Sequence, residues 1–68
     1  MGRVRIFIID AGGREGELDA RALEYIRGGS CPACGGELVE LCKEPEIGYE
    51  SYACRSCKSL IYIITVTR

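Results

Sequence analysis

Cys31-Pro32-Ala33-Cys34-Gly35-Gly36 and Cys54-Arg55-Ser56-Cys57-Lys58 are the two stretches on which the rest of the chain depends. Each is a Cys-x2-Cys turn, and nineteen residues separate them. A Cys-x2-Cys turn converges two thiolates on one point, and two such turns complete the tetrahedron that a zinc ion accepts. The intervening chain must bring the second turn back to the first. Leu38–Cys42 reads as a strand, 43–48 as a turn punctuated by Pro45 and Gly48, and Tyr49–Ala53 as the returning strand. The spacing therefore predicts one metal site with Cys31, Cys34, Cys54 and Cys57 as ligands, and one Zn2+ per chain.

Other chemistries for the same cysteines make different demands. Two disulfides would suit an oxidising compartment, and nothing in the sequence reads as a secretory signal. Thioredoxin-like redox work on Cys31-Pro-Ala-Cys34 would need a helix N-terminus after the motif, whereas Gly35-Gly36 and a strand follow. Iron fits the same four thiolates as zinc, because geometry alone does not select the metal. Cys42, the fifth thiol, has the wrong spacing for either pair and reads as a reduced core cysteine.

The segment Cys31-Pro-Ala-Cys-Gly-Gly-Glu-Leu, followed by Tyr52-Ala-Cys-Arg-Ser-Cys, resembles a zinc ribbon of the rubredoxin-like class. The resemblance covers about residues 31–63. It implies two metal knuckles, each at the head of a hairpin, a small three-stranded sheet, and the four ligands Cys31, Cys34, Cys54 and Cys57. The family often carries Gly after the last cysteine, where this chain has Lys58. A left-handed backbone there costs a non-glycine residue about 1 kcal/mol. Residues 1–30 carry no such resemblance.

The flanking segments supply the remaining elements. Residues 3–9 alternate Val4, Ile6 and Ile8 against Arg3, Arg5, Phe7 and Ile9, the pattern of a strand. Asp10 to Gly16 reads as a glycine-rich connecting loop that lacks the Lys-Ser/Thr of a phosphate loop. Residues 17–27 read as a helix: Leu18, Ala22, Tyr25 and Ile26 form one apolar stripe, Glu17 precedes Arg21 by four, and Gly28-Gly29 ends it. Residues 59–67 are the most strand-like, with Leu60, Tyr62, Ile64 and Val66 on one face and Ile61, Ile63, Thr65 and Thr67 on the other. Such a strand should be central or covered on both sides, and the strand 3–9 is its natural neighbour.

The expected architecture is thus a small α+β domain over 1–68. An N-terminal β-α unit, residues 1–30, packs on a zinc-ribbon antiparallel sheet, residues 31–68, that ends in a long strand. At 68 residues such a core is marginal, and a metal is the natural staple.

Composition narrows the function. Nine Lys and Arg against ten Asp and Glu leave a formal net charge of −1, which is not the footprint of a nucleic-acid coat. His is absent, and with it the usual general base at neutral pH. Asn and Gln are absent too, and with seven Arg the composition resembles that of chains from hot environments. No apolar run approaches the roughly 20 residues of a membrane helix, so a cytoplasmic location is expected.

Four thiolates would leave the ion no open position, so a non-catalytic module is expected, not an enzyme. A zinc ribbon of this kind implies a protein partner, an accessory role in a transcription or translation assembly. Direct nucleic-acid binding through Arg55, Lys58, Tyr49, Tyr52 and Tyr62 is the second reading. Residues 31–68 hold four basic residues (Lys43, Arg55, Lys58, Arg68) against five acidic ones, which weighs against it. Rubredoxin-like electron transfer is the third. An exposed strand edge could also pair two copies.

Overall fold

The computed structural model describes residues 2–67, and side chains from residue 3 to residue 66. Arg68 and the side-chain direction assigned to Thr67 lie outside the described residues. Five strands form one antiparallel sheet: β1 (Gly2–Ile9), β2 (Glu15–Leu18), β3 (Leu38–Glu44), β4 (Tyr49–Cys54) and β5 (Leu60–Thr67). Their spatial order is β2-β1-β5-β4-β3. One six-residue helix, α1 (Ala22–Arg27), lies between β2 and β3 in the chain.

The α+β expectation is therefore corrected: this is a sheet-dominated fold with, among the described residues, a single short helix. The error lies in residues 15–21. Glu15–Leu18 is a strand, paired antiparallel with β1 through Ile6–Leu18, Phe7–Glu17 and Ile9–Glu15. The turn that makes this hairpin is tied by Asp10. Its carboxylate accepts the N–H groups of Gly12 and Arg14, both at 2.9 Å, while Gly13 takes φ +86°. Glu17 then finds Arg5 across the strands, at 3.0 Å, instead of Arg21 along a helix. The helical stripe survives in part: Ala22 and Ile26 are buried on α1, and Leu18 packs against the same cluster from β2. Gly29, at φ +84°, follows the helix as expected.

The expected neighbourhood of residues 3–9 and 59–67 is found. β1 and β5 pair antiparallel from Gly2–Thr67 to Ile9–Leu60, and β5 is central, with β4 on its other side. The register sorts the two faces. Ile6, Ile61 and Ile63, each at most 1% exposed, point to the side that α1 covers. Tyr52 and Cys54 join them from β4, and Cys31 from the loop after α1. On that side the Tyr52 hydroxyl donates to the Glu50 carboxylate at 2.6 Å, and Arg27 of α1 reaches the same carboxylate at 2.8 Å. The Arg27 hydrogen bond holds the Glu50 carboxyl below its ordinary range. Burial, with Glu50 beside it, pushes the Tyr52 phenol up to about 12.

The opposite face carries Phe7, Ile9, Tyr49, Tyr62, Ile64 and Val66, and among the described residues no helix covers it. β5 was expected to be central or covered on both sides: it is central, and α1 covers one of its sides. Edge strand β3 carries a bulge between Glu40 and Cys42. One extra residue shifts the alternation, so that Cys42 turns to the open face opposite Ser51. Cys42 is half-buried there, outside the buried cluster in which it was expected.

The β3–β4 turn illustrates a glycine that cannot be replaced cheaply. Gly48 has φ +71°, and its carbonyl accepts the Thr65 N–H of β5 at 2.7 Å. A Cβ at Gly48 would run into the Thr65 carbonyl oxygen. Gly48→Ala is therefore expected to cost about 2–4 kcal/mol, from the left-handed backbone and the forced shift of β5 together. Urea denaturation of the metal-loaded protein measures it, and a loss under about 0.5 kcal/mol would contradict the account.

Candidate metal centre

The two cysteine turns are built on the same plan. In the first, the Cys31 N–H donates to the Gly36 carbonyl at 2.7 Å and the Gly35 N–H to the Cys31 carbonyl at 2.8 Å. In the second, the Cys54 N–H donates to the Ser59 carbonyl at 2.9 Å. The residue after the last cysteine of each turn is left-handed: Gly35 at φ +81° and Lys58 at φ +61°. The departure noted at Lys58 is thus accommodated by strain and not by a different turn. Lys58→Gly is expected to raise stability by about 1 kcal/mol with metal content unchanged. Thermal unfolding beside metal analysis checks this, and a destabilised variant would show that the lysine side chain supports the turn.

β3 follows the first turn, and the second connects β4 to β5, so adjacent strands deliver the two turns to one end of the sheet. The Arg55 N–H donates to the Glu37 carbonyl at 3.0 Å, which ties the second turn to the first. Gly36 fits where they meet, since a Cβ there would strike the Ser56 side chain and lie 3.3 Å from Cys34 Sγ.

The four sulfurs of Cys31, Cys34, Cys54 and Cys57 all lie within 4.8 Å of one another. Cys31 and Cys57 are 3.8 Å apart and Cys34 and Cys54 3.4 Å, and all are free thiols. These separations are far too long for a disulfide, whose sulfurs stand about 2.05 Å apart. The first equals the edge of a tetrahedron with arms of about 2.3 Å, which is about 3.8 Å long, and the second is somewhat shorter. The donor set thus fits a tetrahedral thiophilic ion. The polar surroundings fit it as well. The Gly36 N–H points at Cys34 Sγ and the Cys57 N–H at Cys54 Sγ, both at 3.4 Å, and Ser59 Oγ stands 3.2 Å from Cys57 Sγ. Such groups orient the sulfurs and spread their negative charge.

Burial grades the four positions. Cys31 and Cys54 are buried, Cys57 is half-buried and Cys34 is exposed. Among free thiols this makes an uneven set. The Ser59 hydroxyl brings Cys57 down to about 6, and the Cys57 N–H lowers Cys54. Burial raises Cys31. At Cys34 the Gly36 N–H pulls downward, but the sulfurs of Cys54 and Cys57 and burial outweigh it and push the thiol up to about 12. An incoming divalent ion therefore meets sulfurs ready to bind and others whose protons it must displace.

The five residues suggested as contacts do not form one surface. Arg55 and Lys58 are exposed on the second turn. Tyr49 and Tyr62 stack on the open sheet face, with ring centroids 6.3 Å apart. Tyr52 is buried on the other side, its hydroxyl on Glu50. Ser59 and Gly36, which shape the centre, were not singled out from the sequence. Their signal is positional: each is the second residue after the last cysteine of its turn. Among the described residues no helix is long and apolar enough to cross a membrane. No family model, curated protein or solved structure matches the chain.

Proposed function

We propose that this protein is a zinc ribbon that works as a non-catalytic interaction module, holding one structural Zn2+ on Cys31, Cys34, Cys54 and Cys57. The observation that carries the reading is the convergence of the four sulfurs within 4.8 Å of one another. Four thiolates fill the coordination of zinc and leave no position for substrate or water, so the ion braces the fold and does no chemistry. The zinc-ribbon resemblance supports an accessory role in a transcription or translation assembly, a warrant that rests on analogy of fold. Near-neutral charge favours a protein partner, and four thiolates around one divalent ion add a further −2 near the knuckles. The exposed tips, with Arg55 and Lys58, are the free end of the molecule for such a contact.

Native mass spectrometry of protein purified without added metal tests the reading. The expected result is the 7.5 kDa chain carrying one zinc in each copy, colourless and with a protein partner in pull-down. A coloured iron form would shift the assignment to electron transfer. Salt-dependent binding of RNA or DNA that is lost in Arg55→Glu, with no protein partner, would shift it to direct nucleic-acid recognition.

A further inference from the structure

The open face of the sheet is the largest surface that the metal centre does not explain. Phe7 and Tyr62 are direct cross-strand partners, Tyr49 stacks on Tyr62, and Ile64 and Val66 remain 38% and 45% exposed. Five strands about 4.8 Å apart and up to eight residues long make a face of roughly 20 by 25 Å. With side-chain relief, that reaches the low end of the about 600–1,000 Å² each partner buries in a specific complex. Its charges do not suit a phosphate backbone. Arg3 and Arg5 share the face with Glu15, Glu17 and Glu44, and Arg5 is already bound to Glu17 at 3.0 Å.

The charges do suit a second copy of the same face. Arg3 lies toward one end of β1, and Glu15 lies beside Ile9 at the other. Among the described residues neither has an ion-pair partner. Consider two faces stacked with strands reversed, about a two-fold axis running across the strands at the level of Ile6. Arg3 of one copy comes to the level of Ile9 and Glu15 of the other. On β5, Ile64 meets Tyr62 of the other copy and Val66 meets Leu60, so apolar groups oppose apolar groups. Such an arrangement is isologous, each contact being made twice. It is also the aligned sheet-on-sheet packing that twisted sheets adopt.

We propose that this face joins two copies of the chain, sheet against sheet, with Arg3 of each copy set against Glu15 of the other. The contact leaves the metal knuckles free, at the end of the sheet. Sedimentation equilibrium of the full metal-loaded chain tests it. The expected mass is twice 7.5 kDa at micromolar concentration. Ile64→Lys should give a monomer whose zinc content and far-UV spectrum match the wild type, showing that the fold is kept. Arg3→Glu should weaken association about tenfold, and adding Glu15→Arg in the same chain should restore it. A monomer at every concentration overturns the proposal. So does a dimer untouched by Ile64→Lys, which would place the contact on the β2 or β3 edge. So does quenching of the face tyrosines by single-stranded RNA without self-association.

Discussion

Cys54→Ser, or removal of the metal by a strong chelator, is expected to unfold at least residues 31–58. Structural zinc contributes about 10–16 kcal/mol in small finger peptides, as much as or more than the net stability of a whole domain. The position of the ligands makes the coupling tight here. Cys54 is the last residue of β4 and is 2% exposed, and Cys31 belongs to the same buried cluster as Ile6, Ile26 and Ile61. Removing the ion leaves four sulfurs crowded at separations of 3.4 and 3.8 Å, two of them in that cluster, with the single Arg55–Glu37 backbone hydrogen bond tying the two turns. Acid should act in the same direction: the ligands must be deprotonated to bind, so metal release and unfolding should coincide as pH falls. Circular dichroism with and without chelator reads the effect. Native spectra in the metal-free protein would show that the sheet stands without its brace. Cys42→Ser is the control, since Cys42 lies apart from the four-sulfur group and metal content should stay at one per chain.

Ile61→Ala is expected to cost about 2–5 kcal/mol with zinc still bound. Ile61 is fully buried near the start of the central strand β5, between Ile8 on β1 and Tyr52 on β4. Its removal leaves a cavity where the two outer pairs of strands meet, and α1 loses part of the surface it covers. In a domain this small that is a large share of the total stability. Ile47→Ala, at a turn position 73% exposed, should cost less than about 0.5 kcal/mol. Chemical denaturation of both variants separates burial from mere hydrophobicity, and equal losses would contradict the assignment of the core.

Local chemistry made much of this legible. Two Cys-x2-Cys turns at the right spacing predicted the four sulfurs that converge, and Pro45 with Gly48 predicted the turn between β3 and β4. The strand at residues 59–67 announced its central place by being apolar on both faces. The failure at residues 15–21 has a nonlocal cause. Leu18, Ala22 and Ile26 suit a helical stripe, yet Leu18 reaches the same core from a strand. The competing partner is β1: the Asp10 turn brings Glu15–Leu18 back to pair with Ile6–Ile9, and Arg5, twelve residues from Glu17, adds an ion pair across the strands. Burial on one side only was likewise hidden, because the alternation of β5 does not say which face the single short helix will cover.

The strand order carries one more consequence, for how the chain assembles. β1–β2 and β3–β4 are each local hairpins, but the two meet only through β5, which follows them both in the chain. Until residues 60–67 leave the ribosome, each hairpin shows a bare edge where its missing neighbour belongs, and such edges invite mispairing. Both zinc knuckles are complete by residue 59, so metal capture can lock β3 and β4 in register while the gap is still open. The nascent chain thus has its anchor before its keystone, and β5 closes the sheet in a final step.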